Sequence, residues 1–272
     1  MSSSTTLAVT IPLHIPDLPR PLHLHIHDHR DQYVSRRLRE EGIWEPYETS
    51  LMLELLRPGD VFVDVGANIG YFSVLAASVV GGQGAVLAFE PDPDNYRLLQ
   101  ANIELNALQQ CITPVRAALS DTAGEGLLYL SADNLGDHQV YASGEARPSV
   151  PIALYNGSDF LGARLQRLDL LKVDTQGSEY QVIAGLLPLL LQLARKPRIL
   201  IELTPHSLRQ AGASGRALIE LLAQLQLPMW IIDHIEHRIH QSSAEALALW
   251  CDNWDQIAEA RGFMNILVGR MD

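Results

Sequence analysis

The chain has 272 residues, enough for one large α/β domain with a short extension and too few for two full-sized catalytic domains. With 47% hydrophobic and 19% charged residues its composition is that of an ordinary globular protein, so disorder is not expected away from the ends. A net charge of −12 with no clustered block of Lys or Arg would repel a phosphate backbone, which argues against nucleic acid as a partner. Cys111 and Cys251 have no metal-type spacing and suit a reducing, cytoplasmic setting. Residues 1–10 lack the charged start and apolar core of an export signal, and the Leu-rich run 184–194 is short and interrupted by Pro188, so no membrane association is expected.

The expected organisation is an N-terminal β extension over residues 1–44 and a single α/β domain over 45–272. The period-2 pattern of residues 21–29 reads as a strand with Leu22, Leu24 and Ile26 on one face. The opposite face carries His23, His25, His27 and His29, read as a solvent-facing ribbon rather than a closed metal site. Its edge also offers a place for two copies to pair as a homodimer. A helix is expected over 45–56, a buried strand over 61–65, a glycine turn over 66–70 and a helix from Tyr71. A second strand over 85–89, a helix over 93–108 and a third strand over 112–119 follow. Residues 127–130 and 150–155 read as an antiparallel pair separated by a long polar loop, 131–148, of the length that often covers a site. Strands over 168–174, 198–203, 229–233 and 263–269 and helices after Gly177 and over 214–224 complete the series.

Strand, glycine turn and helix around Asp64, Gly66, Asn68 and Gly70 make a nucleotide-type pocket, and Glu90 stands where a doubly wound fold places the acid that grips ribose hydroxyls. A dinucleotide fingerprint needs glycine where Asn68 stands, because a side chain there crowds a pyrophosphate. Asn68 is instead suited to hydrogen-bond a small zwitterion such as the amino acid end of S-adenosylmethionine, and Asp64 suits a nearby ammonium. The residues therefore favour methyl transfer over hydride transfer.

The segments 58–72 (PGDVFVDVGANIGYF), 88–91 (AFEP), Asn102 with Asn106, 117–121 (AALSD) and 171–180 (LKVDTQGSEY) together resemble the FkbM family of S-adenosylmethionine-dependent methyltransferases over about residues 45–205. The resemblance implies a Rossmann-like class I methyltransferase fold, with a seven-stranded, mostly parallel sheet whose last strand runs antiparallel. It also implies O-methylation of a sugar, glycan or polyketide-type hydroxyl, so the expected partner is a small-molecule or glycan acceptor. One departure stands out: the family usually has Asp-Val-Glu-Gly where this chain has Asp174-Thr-Gln-Gly177.

Methyl transfer needs alignment of acceptor oxygen, methyl carbon and sulfur, and the handling of one proton. Asp174, at a strand's carboxyl end, is placed either to orient or deprotonate the acceptor or to cap the next helix. Glu179 is a catalytic candidate or simply a carboxylate favoured in a first helical turn. His206 follows strand five at the same edge and is a candidate base or a solvated loop residue. Ser120 and Asp121 are candidates for the adenine amino group or an ordinary turn. Asn102 and Asn106 share a helix face as structural braces or site residues. No metal ligand is assigned, and metal dependence stays open: Asp174 and Glu202 could share a cation, but no third ligand is evident. Two other functions stay open: a nicotinamide-dependent oxidoreductase, disfavoured by Asn68, and a cofactor-binding but catalytically silent scaffold, motivated by Gln176.

Overall fold

The computed structural model describes residues 9–16, 18–143, 146–257 and 262–271. Residues 1–8, most of the stretch read as lacking an export signal, lie outside them. The chain opens with a ribbon, β1 (Val9–Pro12) and β2 (His23–Ile26), then α1 (Val34–Glu41) and α2 (Pro46–Leu55). Strands and helices alternate through β3 (Val61–Val65), α3 (Tyr71–Val80), β4 (Ala85–Phe89), α4 (Pro93–Leu105) and β5 (Ile112–Val115). A separate small sheet follows, formed by β6 (Ala118–Ser120), β7 (Gly124–Tyr129) and β8 (Ser149–Asn156). The chain returns through α5 (Gly157–Gly162), β9 (Leu170–Val173), α6 (Glu179–Gln192), β10 (Arg198–Leu203), α7 (Pro205–Gln210) and α8 (Gly215–Ala223). It closes with β11 (Met229–Asp233), β12 (Arg238–Ser242), α9 (Ala244–Asp255) and β13 (Met264–Val268).

The main sheet has the order β12-β11-β13-β10-β9-β3-β4-β5. β3, β4, β5, β9 and β10 pair in parallel, and β13 is inserted antiparallel between β10 and β11. This is the expected class I arrangement with one strand more than the seven expected. The extra strand, β12, pairs antiparallel with β11 at the edge. Its sequence, Arg-Ile-His-Gln-Ser, carries little apolar alternation because none of its residues is buried on either side, so it gave no strand signal.

Alternate residues of the central strands feed two cores. Phe62, Val86, Leu170 and Leu200 pack with α2, α3 and α4 on one face, while Val63, Leu87, Leu171 and Ile199 pack with α6, α8 and α9 on the other. The ribbon joins the first core: Leu22, Leu24, Ile26 and Leu38 are buried in the same cluster as Met52, Leu75 and Leu99. Asn102 and Asn106, one turn apart on α4, hold the edge of β2 that β1 leaves open. Asn106 accepts from the His23 N–H (3.0 Å) and donates to its carbonyl (2.7 Å); Asn102 does the same for His25 (2.6 and 2.9 Å). Asn102 also donates to the Ile69 carbonyl at 2.8 Å, tying ribbon, helix and glycine turn together.

Two local expectations change. The strand expected over 112–119 is divided between β5 and β6, because the chain leaves the main sheet at residues 116–117 and enters the small one. The four histidines do not all face solvent: His27 is buried, with its Nε2 2.7 Å from Asn95 Oδ1, whereas His23 is exposed. The proline inside α6 is accommodated by α5, whose Ser158 hydroxyl donates to the Gly185 carbonyl (2.6 Å) and accepts from the Leu189 N–H (3.1 Å) across the interrupted turn. Among the described residues no helix is long and apolar enough to cross a membrane.

Candidate active site

The parallel strands diverge at β3 and β9: β4 and β5 extend the sheet on one side, β10 on the other. In open α/β sheets the crevice beyond the carboxyl ends at such a point is where ligands bind. Here a cavity of about 320 Å³ occupies it, walled by residues 65–69 after β3, Phe89 to Pro91 after β4, and Lys172 and Asp174 to Gln176 at the end of β9. The loop between β7 and β8 roofs it with Asn134, Leu135, Gly136, His138 and Val140, as its length led us to expect.

Backbone geometry fixes the turn. Gly66 has φ +86°, and a Cβ there would lie 1.8 Å from the Asp174 carbonyl oxygen. Gly70 starts α3 with φ +88°, and a Cβ would press on Leu99. Asn68 also has a positive φ, +51°, a conformation asparagine tolerates better than most residues. Its Oδ1 is buried in the cavity wall without a hydrogen-bond partner. Glu90 accepts the Asn68 N–H at one carboxylate oxygen and the Asp92 N–H at the other, both at 2.8 Å. Burial, reinforced by the charges of Asp92 and Asp64, pushes Glu90 up to about 8 against these two hydrogen bonds.

Behind this turn lies a cluster of carboxylates around one lysine. The Lys172 ammonium donates to Asp174 at 3.0 Å, lies 3.8 Å from Glu48 and sits 4.5 Å from the Phe72 ring centre. Burial works against its charge, but Asp174, Glu48, Glu45 and Asp64 outweigh burial and hold its proton far more tightly than usual. Burial raises Glu45 and Glu48 above the ordinary carboxylate range; for Glu45 the charge of Glu48 adds to this. Glu202 is held well above that range, first by burial and then by the charges of Asp174, Glu179 and Glu45. Gln176 bridges the group, its Nε2 donating to Asp174 (2.7 Å) and Glu202 (3.3 Å). A glutamate at 176 has no proton to donate in its ionised form and would add one more like charge to the cluster.

Beyond Glu202 a second, polar hollow of about 640 Å³ opens. Glu202 and Gln176 stand in the walls of both spaces, as do Tyr33, Asn134 and Phe263.

Of the site residues expected from sequence, Gly66, Asn68, Glu90 and Asp174 meet in the cofactor-side wall. Asp64 lies behind it, buried, accepting the Ser73 hydroxyl at 2.6 Å; burial pushes it up to about 6, opposed by Lys172 and Ser73. Gly70 shapes the turn from outside the wall. Ser120 and Asp121 also lie outside it, at and beyond the end of β6, whose preceding residues Ala118 and Leu119, with Ala117, line the cavity instead. Glu179 is fully buried and saturated: it accepts from the Thr175 N–H (2.8 Å), the Thr175 hydroxyl (3.0 Å) and the Gly177 N–H (2.9 Å), holding the loop that presents Asp174 and Gln176. His206 belongs to the second hollow. Sequence reading gave no site role to Tyr33, Trp44 or Glu45, which the N-terminal segment brings into the wall. A hint was present in Trp44-Glu45-Pro46, an aromatic and an acid ahead of a helix-starting proline.

The arrangement fits S-adenosylmethionine. The unpartnered Asn68 oxygen is an acceptor for an ammonium, the lone pairs left on Glu90 suit ribose hydroxyls, and a wall with more carboxylates than cations suits a sulfonium.

Comparison with known proteins agrees. A sequence profile described as the Methyltransferase FkbM domain matches residues 64–227. A protein named Methyltransferase 1 from Beauveria bassiana is 33% identical over 151 residues, 47% of this chain and 59% of its own length. The 31-O-demethyl-FK506 methyltransferase FkbM of Streptomyces tacrolimicus is 29% identical over 160 residues, 48% of this chain and 60% of its own length. The chain therefore spans about three-fifths of these relatives. Among solved structures, an S-adenosylmethionine-dependent O-methyltransferase from Thermotoga maritima aligns with 85% of this chain and 67% of its own, at 14% identity and a TM-score of 0.43. With the profile covering more than half of its residues, this chain belongs to the FkbM family of S-adenosylmethionine-dependent methyltransferases.

Proposed function

We propose that the methyl group is transferred to a hydroxyl oxygen of a sugar, glycan or polyketide-type small molecule, and that Glu202 receives the proton released. The observation that carries this reading is the position of Glu202, a carboxyl of raised proton affinity standing in the walls of both the cofactor cavity and the adjoining hollow. When bound, S-adenosylmethionine supplies an electrophilic methyl on a cationic sulfur. The protein then has to bring an acceptor oxygen into line and hold a base within reach. Asp174 acts through Glu202, since its negative charge, balanced by Lys172, is among the causes of that raised affinity. Gln176 fixes the two carboxylates relative to each other. The O-methyl specificity is supported by the name of the Streptomyces relative, 31-O-demethyl-FK506 methyltransferase, which places that protein's methyl group on an oxygen. A cytoplasmic site of action is supported by Cys111 and Cys251, both buried free thiols.

The test is to incubate the full chain with S-adenosylmethionine and a panel of hydroxylated, amine-bearing and carbon-nucleophile acceptors, then locate the new methyl by NMR. Methylation on oxygen is expected. Transfer to nitrogen or carbon alone overturns the reading.

A further inference from the structure

The hollow beyond Glu202 is polar yet short of partners. Among the described residues, the buried side-chain atoms without a hydrogen bond are Asn68 Oδ1, Gln139 Oε1, Ser143 Oγ, Gln181 Oε1, Thr204 Oγ1, His206 Nδ1 and Asn265 Oδ1. Four of these seven, at Gln139, Ser143, Thr204 and His206, belong to residues that line this one hollow. Folded proteins rarely leave such atoms bare, because each has given up water without a replacement. Their concentration in a concave space next to the cofactor cavity marks them as groups kept for a ligand.

Their chemistry narrows the ligand. An amide oxygen accepts, two hydroxyls both donate and accept, and an imidazole nitrogen does either according to tautomer. Such a set matches a ring carrying several hydroxyls. The charged residues of the wall are Asp133, Asp137 and Glu202 against Arg147, whose guanidinium Asp137 already binds at 2.9 Å. An excess of acid discourages a phosphate or carboxylate. A carbon-rich lactone would cover the four polar atoms without pairing them, which is the costlier outcome.

We infer that this hollow is the acceptor subsite and that it takes an uncharged sugar ring, free or terminal on a larger glycoside, held by Gln139, Ser143, Thr204 and His206 with the reacting hydroxyl toward Glu202. The inference rests on the O-methylation reading above and names its substrate class. In the step it serves, the oxygen of one hydroxyl on the ring bonds to the methyl carbon, the carbon–sulfur bond breaks with its electron pair left on sulfur, and the proton of that hydroxyl passes to Glu202.

The test is calorimetry and saturation-transfer NMR on the full chain loaded with S-adenosylhomocysteine. The probes are free hexoses, methyl glycosides, hexose phosphates and a sugar-free macrolactone alcohol. Neutral sugars are expected to bind, and their phosphates to bind about tenfold more weakly; the better of free hexose and glycoside identifies the source of the ring. Thr204→Val is expected to weaken sugar binding about fivefold while leaving Tm unchanged or higher, since it replaces an unpartnered buried hydroxyl by an apolar group of similar shape. Gln139→Met is expected to weaken sugar binding by a similar factor, with a small fall in Tm because its Nε2 also donates to Asp137 at 3.2 Å. Ser143→Ala serves where either variant fails to fold. A fall in Tm with sugar binding intact overturns the inference, because the atoms then serve the fold. Preference for the phosphates overturns it too. Binding and O-methylation of the macrolactone alone overturns the sugar assignment and leaves O-methyl transfer standing, whereas methylation only at nitrogen or carbon removes both.

Discussion

On the cofactor side of the cleft, Gly66, Asn68 and Glu90 come from two consecutive strand ends, and among the described residues Asn68 Oδ1 is the one buried side-chain polar atom of the wall without a hydrogen bond. On the acceptor side the wall is assembled from the β7–β8 loop, the segment after β10 and the end of the chain near Phe263, and it carries most of the unpartnered buried polar atoms. The cofactor half is defined by backbone geometry: Gly66 packs against the Asp174 carbonyl, and Glu90 is held by two N–H groups. The acceptor half is defined by side chains of loops and of the short helix α7, with hydrogen-bonding capacity left for something that arrives from outside. A fixed donor site beside an adjustable acceptor site is what one chemistry applied to many substrates requires.

The sharpest way to break that contrast is at Gly66. Gly66→Ala forces a methyl into the Asp174 carbonyl at a positive φ, and is expected to cost roughly 3 kcal/mol of stability and about 100-fold in S-adenosylhomocysteine affinity. Denaturant unfolding and calorimetry measure both, and retention of wild-type affinity would show the turn to be more compliant than it looks. Next comes Glu202→Gln, expected to lower kcat about 100-fold with the cofactor Kd little changed. In the wild type kcat/KM should rise as pH passes through the Glu202 pKa, which lies above the ordinary carboxylate range, because the ionised form is the base. The glutamine variant should lose that limb; an unchanged profile points to another base.

The third test concerns the brace. Asn102→Ala leaves the His25 backbone and the Ile69 carbonyl without their side-chain partner, and about 2–3 kcal/mol of stability should be lost in chemical denaturation. The mildest test is at Glu90. Its pKa is about 8 in the folded protein and near 4.5 in the unfolded chain, so between those values the folded state binds the extra proton. Its contribution to stability is therefore complete below about 4.5 and is lost as pH rises toward 8. Glu90→Gln should flatten that part of the stability–pH curve and weaken S-adenosylhomocysteine about tenfold. A slope equal to that of the wild type would locate the titration elsewhere.

What the sequence made legible follows the same division. The β3 turn and Glu90 were readable because a local pattern of strand, glycine turn and helix determines their conformation, whatever the rest of the chain does. Asn102 and Asn106 were recognisable as a pair on one helix face, but their target, β2, lies about 80 residues earlier, at a distance that no local periodicity encodes. Tyr33, Trp44 and Glu45 were missed for the same reason: the N-terminal segment looked like an appendage until its leucines were seen in the core. Asp64 and Glu179 are the reverse case, acids whose position in the motif suggested chemistry and whose carboxylates are engaged by Ser73 and by the 175–177 loop. Arg238–Ser242 escaped because this edge strand buries none of its residues and so has no apolar face to write a pattern.

The amide clasp on β2 bears on how this protein can be cut. A fragment beginning at Asp64, where the family profile starts, would strip Asn102 of α4 and Asn106 at its C-terminal cap of the strand backbone they hold, and one ending at residue 227 would lose β11, β12 and the antiparallel β13 that pairs with β10. The smallest autonomous version of this methyltransferase is accordingly larger than its region of recognisable ancestry, and engineers grafting the module should carry the ribbon along with it.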